Sequence, residues 1–210
     1  MSGVTPVGET RILVTKAKDN DIKAFEELVR IYQNKVYALS LKLSGNHEDA
    51  QDVAQETFIR AYRSLGNFRN DADFGTWLHR ITVNVWLNMR RKKYNNNIIS
   101  LDEPYQWDGG NEKQREVADS NGEDPLQVLE ARELQQLIRS AVLSLSEEHR
   151  AVIILRDMEG YSYEEISRMM SCSLGTVKSR INRAREVMRR NLTEMARETG
   201  RDFPAGKERR

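Results

Sequence analysis

Apolar residues recur in steps of three and four along most of this chain, the spacing that lines one face of an α-helix. A short opening helix is predicted over Glu9–Lys18. Asn20 or Asp21 then caps a longer one with Ile22, Phe25, Leu28, Val29, Tyr32, Val36, Leu39 and Leu43 on its apolar face, closed by Gly45. Asn46–Leu65 repeats the pattern with Ala50, Val53, Ala54, Thr57, Phe58, Ala61, Tyr62 and Leu65. After the loop Gly66–Asp73, a helix from near Ala72 to Lys93 should bury Phe74, Trp77, Leu78, Ile81, Val85 and Met89. Its other side should present His79, Arg80, Asn84, Asn88 and the basic run Arg90, Arg91, Lys92, Lys93. The pattern lapses over Tyr94–Glu123, which is polar, acidic and rich in turn residues, as a mobile linker would be; Trp107 is its odd member. Asp124 and Pro125 restart a helix with Leu126, Leu129, Leu137, Ile138, Ala141, Val142 and Leu145 on one face. Ser146 caps another that ends near Gly160.

The stretch Ser162–Leu192 predicts two helices with a tight turn between them. Ser162 and Glu165 have the spacing of a capping box, Met170–Cys172 is the break, and Ser173 caps the second helix. That helix carries Leu174, Val177, Ile181, Ala184, Met188 and Leu192 on one face. Its other face has Lys178, Arg180, Arg183, Arg185, Arg189 and Arg190 against the single acid Glu186. An ordinary amphipathic helix with a solvated basic face has this composition too. The polar set Thr176, Lys178, Ser179, Asn182 and Arg183 in the first turns favours a DNA-binding helix-turn-helix, whose recognition helix meets base edges there. Arg185, Arg189 and Arg190 lie further along, where phosphate contact is the simpler role.

The fold class expected is therefore all-α: two small helical domains, 9–95 and 124–195, joined by an acidic flexible linker, 96–123, with a polar tail at 196–210. A net charge of +1 over 210 residues hides a segregation. Asp102–Glu130 holds nine acids against Lys113 and Arg115, while the bases gather at Arg90–Lys93 and along the last helix. There is no apolar run long enough to span a bilayer, and the N-terminus lacks a signal-peptide pattern. With one cysteine, Cys172, and three histidines, neither an internal disulfide nor a metal-ligand spacing is visible. Cys172 reads as a small packed residue of the turn, a redox role being the minor alternative. A cytoplasmic protein without metal or cofactor is expected, and no nucleophile–base pair or phosphate loop suggests an enzyme.

Two further features invite partners. On the third helix Gln51, Asp52, Gln55, Glu56 and Ile59 share the face opposite the apolar stripe, a plausible docking patch. Phe68 sits in a loop beside the basic helix end, which suits single-stranded nucleic acid: cations for phosphates and an aromatic or amide pocket for an unstacked base. Equally, Phe68 tucks under its loop and the cations complement the helix C-terminus.

The segments DAQDVAQETFIRAYRSLGNF, FGTWLHRITVN and GTVKSRINRARE, in that order, resemble the extracytoplasmic-function group of the sigma-70 family. The resemblance covers about Asp19–Lys93 and Asp124–Asn191. It implies an RNA polymerase sigma factor, working in a stress response and held by an anti-sigma factor. Asp52, Gln55, Glu56 and Ile59 match the surface for the clamp helices of the polymerase β′ subunit, and the second domain would meet the β flap. Phe68 and Asn84 match the pocket for a base flipped from the promoter −10 element, with Arg90, Arg91, Lys92 and Lys93 along the backbone. Thr176, Lys178, Ser179, Asn182 and Arg183 match readers of the −35 element, although relatives carry an aromatic residue at the place of Asn182. The acidic linker would thread the RNA exit path. The competing class is a stand-alone helix-turn-helix regulator, which binds its operator without polymerase.

Overall fold

Capping chemistry fixes the helix ends of the first module. A computed structural model describes residues 7–69, 72–99 and 125–198 of the chain. In it α1 (Val7–Lys18) is followed by α2 (Ile22–Ser44), α3 (His47–Ser64) and α4 (Phe74–Ile99). The Asp21 carboxylate accepts from Ala24 N to open α2, and the Asn46 side-chain amide oxygen accepts from Asp49 N to open α3. Between them Gly45, at φ 81°, ends α2 by donating its N–H to Leu41 O. A Cβ at Gly45 would lie 2.6 Å from Leu143 Cδ2, so glycine is needed here twice, for the backbone and for the neighbour. Asp73 starts α4: Gly75 N donates to its carboxylate at 2.9 Å and Trp77 N to its carbonyl at 3.0 Å. Leu28, Tyr32, Val36, Ala61, Leu65, Phe68, Phe74 and Leu78 form the core of this module.

The second module comprises α5 (Pro125–Leu143), α6 (Glu147–Ile153), α7 (Tyr163–Met170) and α8 (Leu174–Glu198). The capping box at Ser162 and Glu165 is present in full. Ser171 takes the left-handed conformation at φ 51° to end α7, and Ser173 Oγ accepts from Thr176 N at 3.1 Å to begin α8. Val177, Ile181 and Ala184 are fully buried, so the helix-turn-helix stripe faces the core. All regular structure among the described residues is helical, as the apolar spacing predicts.

The departures are local. The fourth helix does not stop near Lys93 but runs to Ile99. The expected cap Asp124, most of the linker and Trp107 lie outside the described residues. Ser146 occupies the cap position of α6 without a side-chain cap bond. α6 passes into a π-helical turn, Ile154–Met158, closed by Glu159 N on Ile154 O at 3.0 Å. Tyr62, Leu129 and Leu174, placed on apolar stripes, are all exposed. Tyr62 instead edges onto the Phe25 ring at a 5.0 Å centroid distance.

One departure reorganises the molecule. α4 is not half-exposed: Val83, Trp86 and Leu87 are buried as well, in a core shared with Val142, Leu145, Val152, Ile153, Ile166 and Met169 of the second module. α4 packs on α2 and α3 on one side and on α6 and α7 on the other. Arg150 pins this seam. Its guanidinium donates to Leu43 O at 2.9 Å, to Leu145 O at 3.1 Å and to Leu143 O, and lies 5.7 Å from the Trp86 ring centroid. A buried guanidinium is tolerated because main-chain carbonyls at two helix ends, each carrying partial negative charge, accept its protons.

Candidate nucleic-acid interface

The start of α8 is presented to solvent. Lys178, Ser179, Asn182 and Arg183 are exposed and Thr176 is half-buried, its hydroxyl 2.9 Å from Ser173 Oγ. Successive helical turns bring these side chains onto the side away from Val177 and Ile181. Further along, Arg185 pairs with Asp157 at 2.5 Å. Arg189 and Arg190 are exposed.

The α4 surface is in the opposite condition. Asn84 is half-buried and its Nδ2 donates to Met169 O, in the last turn of α7, at 3.3 Å. His79, expected on the outer side, is buried under Tyr161, whose hydroxyl is 2.8 Å from His79 Nδ1. Burial holds the imidazole below its ordinary pKa, and burial likewise pushes the Tyr161 phenol up to about 12. Its Nε2 is buried without a hydrogen-bond partner among the described residues. The basic end is engaged too. Arg90 lies 3.5 Å from Glu147 and 4.0 Å from Asp49, Arg91 3.8 Å from Glu148, and Lys93 2.5 Å from Asp49. Burial raises the Asp49 carboxyl, but hydrogen bonds from Lys93 and Asn46 outweigh it and leave the pKa below the usual value. Lys92 is exposed.

The magnitudes separate what holds the seam from what decorates it. Fully burying a side chain such as Val83 or Leu87 is worth about 1.5–3 kcal/mol. Half-exposed pairs such as Arg90–Glu147 and Arg91–Glu148 are worth about 0–1 kcal/mol each. Apolar burial and Arg150 therefore close the seam. The carboxylates decide which cations are occupied.

Phe68 tucks under its loop. Its ring is 5% exposed, packs at 5.7 Å on Phe74 and 5.0 Å on Trp77, and lies beneath Lys18, whose Nζ also donates to Phe68 O. It offers no free face for stacking in this arrangement. On α3, Asp52 and Gln55 are exposed and Ile59 is 38% exposed, while Glu56 is half-buried and tied to Arg60 at 2.6 Å. These four line one open helix face. No group of His, Cys, Asp and Glu among the described residues has metal-site geometry, and no described helix is long and apolar enough to cross a membrane.

A family profile described as Sigma-70 region 2 matches residues 28–95, and one described as Sigma-70, region 4 matches residues 135–188. The RNA polymerase sigma-H factor of Pseudomonas aeruginosa is 36% identical over 189 residues, spanning 89% of this chain and 95% of the relative. The chain belongs to the extracytoplasmic-function group of the sigma-70 family. A second member, the ECF RNA polymerase sigma-E factor of Escherichia coli K12, is 37% identical over 191 residues, or 89% of this chain and 96% of its own. Among solved structures, the sigma factor RpoE of Bartonella quintana in complex with the anti-sigma factor NepR has a TM-score of 0.62 at 25% identity. It covers 82% of this chain and 98% of that one. CnrH in complex with the cytosolic domain of CnrY shares the fold at TM-score 0.57 and 24% identity, covering 89% and 98%. Membership in this sigma group is what the three sequence segments imply, and a stand-alone regulator is not favoured. The residues that the sequence reading missed are Glu147, Glu148, Arg150 and the Met169 carbonyl. Each acts across the seam, and no helical periodicity marks a partner on another module.

Proposed function

We propose that this sigma-family chain brings core RNA polymerase to particular promoters and starts transcription there. The observation that carries the reading is the exposed set Lys178, Ser179, Asn182 and Arg183, directly after a capped turn, on a module matching region 4. In this reading they and Thr176 contact the −35 element in the major groove, where a good bidentate side chain discriminates by about 1–3 kcal/mol. Asp52, Gln55, Glu56 and Ile59 dock on the β′ clamp helices, and the second module meets the β flap. The Phe68 loop, Asn84 and Arg90–Lys93 serve the −10 element. The domains are 9–95 and 124–195, tethered by 96–123, with 196–210 as a tail.

The chemistry belongs to the polymerase; this chain is not an enzyme and takes no cofactor or metal. It acts in the cytoplasm, without inserting into a membrane, as part of a stress response under an anti-sigma factor. Support for that control is the solved relative, 25% identical, that is bound to one. Run-off transcription with purified core enzyme and genomic promoter fragments tests the proposal. New start sites preceded by a shared pair of sequence elements are expected. Unchanged start sites, with binding of a palindrome by the chain alone, would instead mark a stand-alone regulator.

A further inference from the structure

The helix that carries the exposed polar set, α8, is tied to its own module on both flanks of its buried stripe. At about 100° per residue, Arg180 and Asn191 fall on one side of Val177, Ile181 and Ala184, and Arg185 falls on the other. Arg180 pairs with Glu148 at 2.8 Å, and Asn191 Nδ2 donates to Ser144 Oγ at 2.7 Å. On the opposite flank Arg185 makes a two-pronged contact, Nη2 with Asp157 Oδ1 at 2.5 Å and Nε with Oδ2 at 3.3 Å. Asp157 reaches α8 from the π-helical turn, where bonding to the fifth residue instead of the fourth changes the bearing of the side chains. The backbone there is itself fixed, by Glu159 N on Ile154 O and by Arg156, which donates to Tyr161 O at 2.8 Å.

We propose that Asp157 is a positioning residue for promoter recognition: through Arg185 it sets the roll of α8 about its own axis, and so the aim of Lys178, Ser179, Asn182 and Arg183. This rests on the reading of those residues as −35 contacts. An apolar stripe resists separation from the core but is non-directional, so it tolerates rolling. The two prongs on Asp157 are directional, and Glu148 opposes them from the far flank. A roll of about 10° carries a side-chain tip ~6 Å from the helix axis through ~1 Å, beyond what a base-edge hydrogen bond tolerates. A half-exposed pair contributes little to stability, so its loss should leave the fold standing and show in selectivity.

The test uses the full chain, a −35 duplex from a promoter mapped by run-off transcription, and a scrambled duplex of equal length. The readout is the ratio of the two affinities, which a change of net charge alone leaves unmoved. D157N should lower that ratio roughly threefold to tenfold, part of the roughly fivefold to 150-fold discrimination of one good base contact. R185K keeps the charge but loses the fork; it should do the same, and replaces D157N if that variant loses its helical circular dichroism. D157N added to R185A should lower the ratio no further than R185A alone, and D157E should keep most of it. E186Q, the same charge change one residue from Arg185, should stay at the wild-type ratio. A wild-type ratio in the variant read, or an equal drop in E186Q, overturns the proposal. So does an R185A loss that is equal on both duplexes, which makes Arg185 a phosphate contact. A wild-type chain without preference for the −35 duplex removes the −35 reading itself, a failure visible before any substitution is made.

Discussion

The two surfaces with which this chain would meet a promoter are in opposite states. At the start of α8 the polar and basic side chains stand in solvent, backed by Val177 and Ile181 in the core. On α4 the corresponding side chains are held, Asn84 by a carbonyl and Arg90, Arg91 and Lys93 by acids. Composition does not explain the contrast, since both helices are rich in bases and amides. Position does: α8 is the outer wall of its module, whereas α4 is the element on which both modules close. A helix that also serves as a core helix cannot be exposed on every side.

Changes at the seam and changes on the open face should therefore separate cleanly. The largest effect is expected from Arg150→Ala, which leaves the carbonyls of Leu43 and Leu145 without their donor inside the seam. A loss of about 3 kcal/mol in urea unfolding is predicted, on the scale of breaking a buried charged hydrogen-bond network. Gly45→Ala comes next. The left-handed backbone costs a side chain about 1–2 kcal/mol, and the new Cβ meets Leu143, so a loss of roughly 2 kcal/mol or more should appear in the same assay. Arg183→Ala tests the open face: stability should hold within about 0.5 kcal/mol while −35 duplex binding weakens by about 1–3 kcal/mol. An equal loss on scrambled duplex would turn Arg183 into a phosphate contact. Glu56→Arg should leave both DNA readouts alone and lower co-purification with core polymerase; undiminished co-purification removes the docking patch.

The smallest effect is a pH slope. His79 has a folded-state pKa below its ordinary value, so the unfolded chain binds more protons below about pH 6.5. Stability should fall as pH drops from that value toward the folded pKa, and be constant above it. Glu159 and Asp73 favour the proton and Lys35 and Lys42 oppose it, without cancelling the burial. His79→Gln should flatten urea midpoints across this range. A slope that survives the substitution belongs to another group.

Much of this contrast could be read from the sequence, though not its cause. Helix ends were legible because caps are local: Asp21, Asn46, Gly45 and Ser162 act within four residues of themselves. The α8 face was legible because one helix shows both its stripe and its polar turns. α4 misled because its first apolar stripe was sufficient by itself. Yet Val83, Trp86 and Leu87 make the same segment apolar on a second side, the signature of a helix packed on two faces. Arg150 was illegible in a stronger sense, for a lone arginine ahead of an apolar run does not say which carbonyls it will meet. The burial of Phe68 was one of two open alternatives, and only packing against Trp77 and Phe74 distinguishes them.

The most direct measurement compares the free chain with the chain bound to core polymerase, using a −35 duplex and a −10 single strand from one mapped promoter. The account predicts that the free chain binds the duplex measurably in a salt-dependent way and leaves the single strand unbound until core enzyme is added. Single-strand binding by the free chain as tight as that of the assembled enzyme would contradict it.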